Sequence, residues 1–165
     1  MLLKKPTFIF CFLLLSFNLS NAQIEVAHIS AKGYNATGFG GFLNFSFPVS
    51  EVNYVTLEGG LQYFKDKNTQ IVALVPALAG FRYTLDQSGS GWYVEPNAGY
   101  TFVATTDTDS PEGAAAGLTF GYLVDLGNIP FNFSARYEHI FGNPSANVFS
   151  IRIAHSISFR KREED

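Results

Sequence analysis

Apolar and polar residues alternate with a period of two along most of this chain, in segments of roughly ten to fourteen residues. No window after residue 22 sustains the 3.6-residue spacing of an amphipathic helix. A period of two is the signature of a strand with two unlike faces. Eight segments carry it: 24–31, 37–47, 53–64, 70–85, 91–103, 113–124, 130–140 and 147–159, the first being the weakest because its alternation is blurred. Between them stand clusters such as Gly-Tyr-Asn, Pro-Val-Ser, Asp-Lys-Asn, Asp-Gln-Ser-Gly-Ser-Gly and Gly-Asn-Pro-Ser, rich in the residues that reverse a chain. No internal repeat or interdomain linker interrupts the series.

The faces are cleanly separated. In 147–159 one face is Phe149, Ile151, Ile153, His155, Ile157 and Phe159, and the other is Ser150, Arg152, Ala154, Ser156 and Ser158. In 130–140, Phe131, Phe133, Ala135 and Tyr137 oppose Asn132, Ser134, Arg136 and Glu138. Segment 91–103 sets Trp92, Val94, Ala98, Tyr100 and Phe102 against Tyr93, Glu95, Asn97 and Thr101. A soluble barrel would turn the apolar face inward, whereas a transmembrane barrel turns it to lipid and fills the lumen with the polar face.

The first 22 residues read differently. Lys4 and Lys5 precede an apolar run from Phe8 to Leu15, and Ser20-Asn21-Ala22 places small residues before Gln23. This is the layout of a secretory signal cleaved after Ala22. The apolar run is shorter than the ~20 residues of a spanning helix. The single cysteine, Cys11, lies inside it, so residues 23–165 contain no thiol and can form neither a disulfide nor a thiolate metal site. The part from 23 onward is sized for one domain.

Three features favour the membrane version of the barrel. Aromatics stand at both ends of the apolar faces. One end carries Phe45, Phe47, Tyr83, Trp92, Tyr122, Phe131 and Phe159, and the other Phe39, Tyr63, Phe102, Phe141 and Phe149. Paired aromatic girdles are what two membrane interfaces select. The polar parity holds Glu58, Glu95 and Glu138 with Arg82, Arg136 and Arg152 and no lysine within a strand interior. Arginine suits desolvated pairing with carboxylates, so these six predict a structural charge network in a narrow lumen. Finally, lipid cannot satisfy an open sheet edge, so the strands must close.

Composition excludes other classes. Charged residues make up 15% of the chain and aromatics 16%, too apolar for disorder. Without the signal the balance is acidic, which argues against a nucleic-acid partner.

The stretch Val75-Pro-Ala-Leu-Ala-Gly-Phe-Arg-Tyr83 with Gly91-Trp-Tyr-Val-Glu-Pro-Asn-Ala-Gly-Tyr100 resembles the central hairpin of small outer-membrane β-barrel proteins of the OmpA/OmpX-like type. The ending Ser134-Ala-Arg-Tyr-Glu-His139 and Ser150-Ile-Arg-Ile-Ala-His-Ser-Ile-Ser-Phe159 is similar to that family's last hairpin. The resemblance implies a Gram-negative outer-membrane location, contact with outer-membrane lipids and lipopolysaccharide, and assembly by the barrel-assembly machinery through the final aromatic. Six residues, Arg160 to Asp165, follow Phe159, where the family typically ends.

The chemistry-bearing residues are sparse. His28, His139 and His155 are the possible bases, and His139–Asn147 faintly resembles the region of barrel lipid A deacylases. The position two after His139, where that family has its serine, is Phe141. His139 and His155 also fall on the apolar parity. The loop Asp107-Thr-Asp-Ser-Pro-Glu112 gathers carboxylates without calcium-loop spacing and reads as a solvated surface loop. Gly38-Phe-Gly-Gly41 matches no phosphate-binding fingerprint and reads as relief of crowding in a narrow lumen.

The sequence therefore predicts an all-β protein: an eight-stranded antiparallel up-and-down transmembrane β-barrel with a side-chain-filled lumen over 23–165. It is expected to be non-conducting and non-enzymatic, with no cofactor or metal. Its role is expected to be structural or binding, through loops near 32–36, 65–69, 104–112 and 141–146. The competing expectations are a soluble lipocalin-like carrier of an apolar ligand and a lipid A-modifying barrel enzyme.

Overall fold

Each alternating segment forms a strand, because β-branched and aromatic residues on alternate positions pack well on a pleated surface. The computed structural model describes residues 20–65, 71–86, 91–105, 110–126 and 129–157. The strands are β1 (Ser20–Ala31), β2 (Tyr34–Pro48), β3 (Asn53–Lys65), β4 (Ile71–Thr84), β5 (Gly91–Val103), β6 (Gly113–Leu126), β7 (Ile129–Gly142) and β8 (Ala146–Ile157). Every strand pairs antiparallel with its sequence neighbours, and β1 pairs with β8, so the sheet closes in simple up-and-down order. The expected bounds hold to within a few residues. The largest difference is at β1, which starts at Ser20 rather than at 24. Ser20–Ala22, just ahead of the expected cut, pair with Phe45–Leu43 on one side and Ile157–His155 on the other.

β1 and β2 are joined by Lys32-Gly33 alone, with Ala31 and Tyr34 directly paired. Gly33 has a φ of 80°, the left-handed geometry that lets a two-residue turn match the strand twist. The β2–β3 reversal is held by Val49 N–H to Asn53 O at 2.9 Å, and Thr84 donates its backbone N–H and its hydroxyl to Val52 O. The end where the chain enters at Ser20 and leaves at Ile157 is called the near end below. The end bearing the β1–β2, β3–β4, β5–β6 and β7–β8 connections is the far end.

Following direct partners around the wall from Ser20 leads through Phe45, Leu57, Ala79, Ala98, Ala116, His139 and Asn147 to Ser30, ten residues up the same strand. Such a stagger tilts the strands against the barrel axis and sets a bore that side chains can fill. Two prolines, Pro76 and Pro96, sit mid-strand in this closed wall, where a missing N–H ought to break the ladder. The β3–β4 pairing skips from Gly59↔Ala77 to Gln62↔Leu74 opposite Pro76. The β4–β5 pairing skips from Gly80↔Asn97 to Tyr83↔Val94 opposite Pro96. On its other side each proline keeps its partner, Thr101 for Pro76 and Leu118 for Pro96.

Burial runs opposite to that of a water-soluble barrel. Gln23, Glu25, Asn44, Gln62, Arg82, Glu95, Thr101, Asn132, Arg136, Glu138 and Arg152 are buried, while Ile24, Val26, Phe39, Phe141 and Ile151 each leave more than 60% of their surface exposed. An apolar cluster does exist inside, and it is densest toward the far end. There Ile29, Phe64, Leu74, Ile140 and Val148 are almost wholly buried and plug the lumen.

Candidate functional site

The polar parity of the strands converges on one buried network. Arg152 on β8 donates from Nε to Glu25 Oε2 at 2.8 Å, and from its two terminal nitrogens to Glu58 at 2.9 and 3.0 Å. Arg136 on β7 donates to Glu58 and to Glu138, its neighbour two residues on. Glu138 also accepts from the Thr101 hydroxyl at 3.2 Å, Glu25 from Gln62 at 2.6 Å, and Glu58 from Asn44 at 3.3 Å. The charges thus run Glu25, Arg152, Glu58, Arg136, Glu138, alternating in sign across β1, β8, β3 and β7. A separate pair, Arg82 and Glu95, meets at 2.6 Å with Thr56 donating to the second carboxylate oxygen.

Arg82 and Arg152 also stand over aromatic rings. Arg82 stands 4.4 Å from the Tyr93 ring centre and Arg152 4.4 Å from that of Phe42. Tyr93 itself donates to Asn132 across the lumen at 3.0 Å. Bidentate and stacked contacts of this kind exploit the planar guanidinium, which lysine could not replace. A buried charge without a partner would cost several kcal/mol, so the near-complete pairing is a condition for the barrel to close around these groups.

Of the six residues of the expected network, Arg82, Glu95, Arg136, Glu138 and Arg152 are buried in the lumen, and Glu58 turns its carboxylate inward onto Arg136 and Arg152. Glu25 joins them and was missed. It lies in the one segment whose alternation is blurred, because β1 changes character halfway along. Its inward face passes from Gln23 and Glu25 to Ala27 and Ile29, and its outward face from Ile24 and Val26 to His28 and Ser30. The signal that could have found it is register: Glu25 is the direct partner of Arg152 across the closing seam.

The glycines of 38–41 divide by parity. A Cβ on Gly40 would come within 2.8 Å of the Glu25 carboxylate, and one on Gly38 would meet the β3 backbone. Gly41 faces outward with nothing within 4 Å.

On the outer wall, Trp92 stacks on Phe120 at 4.9 Å and meets Tyr122 edge-on at 4.9 Å, all at the near end. Tyr83 is exposed there too, and Phe45 and Phe131 are partly so. Phe159 and the tail 160–165 lie outside the described residues, as do residues 1–19, 66–70 and 106–109. At the far end Phe39 packs with Tyr63 at 5.6 Å and Tyr100 with Phe102 at 4.7 Å.

The histidines stand on the outer wall, apart from one another. His28 Nδ1 lies 3.0 Å from the Thr37 hydroxyl, and His155 meets the Phe131 ring edge-on. His139 Nδ1 lies 2.7 Å from Asn147 Oδ1, which also accepts from the Tyr137 hydroxyl at 2.7 Å. The partner of His139 is thus an amide rather than a serine, and among the described residues no nucleophile is set against it. A soluble carrier would need its apolar side chains around an internal cavity. Here they cover the outside.

No protein-family model and no curated protein sequence matches the chain. Solved structures do match in shape. Neisserial surface protein A superposes with a TM-score of 0.68 at 14% identity, over 86% of this chain and 96% of that one. Ail, the attachment invasion locus protein of Yersinia pestis, gives 0.53 at 11% identity, over 85% and 99%. The N-terminal β-barrel domain of Pseudomonas aeruginosa OprF gives 0.51 at 15% identity, over 83% and 97%. This chain, a closed barrel of eight antiparallel strands, thus has the fold of the small outer-membrane β-barrels.

Proposed function

We propose that the chain is an exported, integral outer-membrane barrel that its own side chains hold closed, and that it acts as a structural or surface-binding scaffold through its far-end connections. The observation that carries this reading is the inverted burial: charged residues inside, and Ile, Val and Phe side chains bare to the surroundings outside. In water so large an apolar surface would drive aggregation. Against lipid it is the stable arrangement.

Export is supported by the signal pattern over 1–22, with cleavage after Ala22 exposing Gln23. Both described chain ends meet at the near end, which this reading sets in the periplasm, with the far end outward. Outer-membrane lipids and lipopolysaccharide are then the surroundings of the wall, and the barrel-assembly machinery its route in. A non-conducting barrel is supported by the two fillings of the lumen, the charge network and the far-end apolar plug. A non-enzymatic role is supported by the pairing of His139 with Asn147.

The experiment is gel mobility in SDS of protein taken from the outer-membrane fraction, boiled against unboiled. A heat-dependent shift is expected, since a closed ladder offers SDS no edge to open. Recovery in the soluble periplasm without a shift would overturn the reading. The mass of the purified protein should place its first residue at Gln23.

A further inference from the structure

The outer wall does not have one height. With a strand rise of about 3.3 Å per residue and a tilt of about 40°, successive outward residues of one strand differ by roughly 5 Å in level, and direct partners on adjacent strands by roughly 3 Å. On β4 the outward face is apolar from Tyr83 and Phe81 through Ala79, Ala77, Val75 and Ala73 to Ile71. On β5 it is apolar from Trp92 to Phe102. On the opposite side polar residues enter the outward face earlier, at Asn147 on β8, His28 and Ser30 on β1, and Thr37 on β2, while β7 carries His139 and then the exposed Phe141. At the same level the inward positions Ala27, Ile29, Ala36, Ile140, Ala146 and Val148 are apolar and buried. On β8, β1 and β2 the alternation has changed sign, and a wall that turns polar outside and apolar inside has left the hydrocarbon.

The near end shows no such step. Phe131, His155, Phe45, Val55, Tyr83, Trp92 and Tyr122 lie within roughly 5 Å of one level by the same arithmetic. Tilting the whole barrel to lift the polar side would therefore draw His155 into the hydrocarbon. Lowering the bilayer surface on one side leaves the near end undisturbed.

We propose that the β8–β1–β2 side of the barrel thins the outer leaflet, holding lipid headgroups roughly 5 Å deeper than the β4 side does. This inference rests on the membrane reading above. Asn147 Oδ1 accepts from the Tyr137 hydroxyl and lies 2.7 Å from His139 Nδ1. The Asn147 amide group and His139 Nε2 remain to bind headgroup oxygens and hydroxyls. His28 and Thr37, linked at 3.0 Å, form a second such pair on the neighbouring strands.

The test uses nitroxide labels on Ser30→Cys and Ala73→Cys. These two outward positions on opposite sides lie at one level to within about 2 Å. The full mature chain would be reconstituted in dioleoylphosphatidylcholine vesicles, and each label's collision rate with oxygen and with a water-soluble nickel chelate measured. The label at 30 is expected to meet the chelate and the label at 73 to meet oxygen. Equal depths overturn the proposal. So does a matching opposite offset between near-end labels at Val55→Cys and His155→Cys, which would mean tilt. Shielding of the label at 30 from both reagents, with spin–spin broadening, would mean a second copy covers the patch and also overturns it. If every label meets the chelate alone, the membrane reading itself has failed. Replacing His28, His139 and Asn147 together by leucine is expected to carry the label at 30 toward the oxygen-rich interior.

Discussion

Arg152 and Glu25 face each other across the seam that closes the barrel, Nε to Oε2 at 2.8 Å, although 127 residues separate them in the chain. The last strand is thereby tied to the first by charge as well as by backbone hydrogen bonds. Arg152 also holds Glu58 of β3 from across the lumen, so one guanidinium spans the seam and the bore.

Removing that guanidinium leaves two buried carboxylates short of a partner. Arg152→Met is expected to lose about 3–5 kcal/mol of stability, the usual cost of breaking a buried pair on one side. Adding Glu25→Gln should recover part of the loss. Urea unfolding of the reconstituted barrel measures both. A double variant that simply sums the single losses would show that the two residues do not act as a pair.

Glycine tolerance should depend on which way the residue faces. A Cβ on Gly121 would come within 2.5 Å of the Tyr93 ring, which Arg82 covers and Asn132 anchors. Gly121→Val is expected to cost about 1–3 kcal/mol by overpacking. Gly41→Ala, with open space around it, should stay within about 0.5 kcal/mol of the parent. The same unfolding assay compares them.

Trp92 is the chain's one tryptophan, half exposed on the outer wall and stacked with Phe120 and Tyr122. Its fluorescence should be quenched most by lipids brominated close to the headgroup and least by those brominated near the chain end. Strongest quenching from the bilayer centre would displace the near-end girdle.

A bore filled by a charge network and an aliphatic plug should pass no steady current. In planar bilayers the purified protein is expected to show no discrete conductance steps. Porin-like steps would mean that the filling gives way in the membrane. Phe64→Ala, which empties the largest ring of the plug, is expected to cost about 3–5 kcal/mol.

Period-two alternation specified the strands here, β1 least clearly, because side chains on a pleat can only point to one of two sides. Residues 130–140 and 147–159 are legible as strands with an arginine face and an aromatic face before any coordinate is known. Even the central prolines misled nothing, since Pro76 and Pro96 each keep one intact ladder. The alternation also marked Glu58, Arg82, Glu95, Arg136, Glu138 and Arg152 as one face. It could not say who pairs with whom, because partners such as Arg152 and Glu58 lie 94 residues apart and meet only through the stagger of a closed sheet.

Glu25 escaped for the same reason that the outer wall has two heights. Along β1 the membrane-facing side turns polar while the lumen-facing side turns aliphatic, so no single alternation describes the whole strand. The sequence by itself determined the strands, their faces and the kind of solvent each face wants, since these follow from local spacing and side-chain chemistry. Only the tertiary structure decided the register, the charge pairs, the apolar plug and the level at which the wall leaves hydrocarbon, because each depends on how strands distant in the chain are staggered around a common axis.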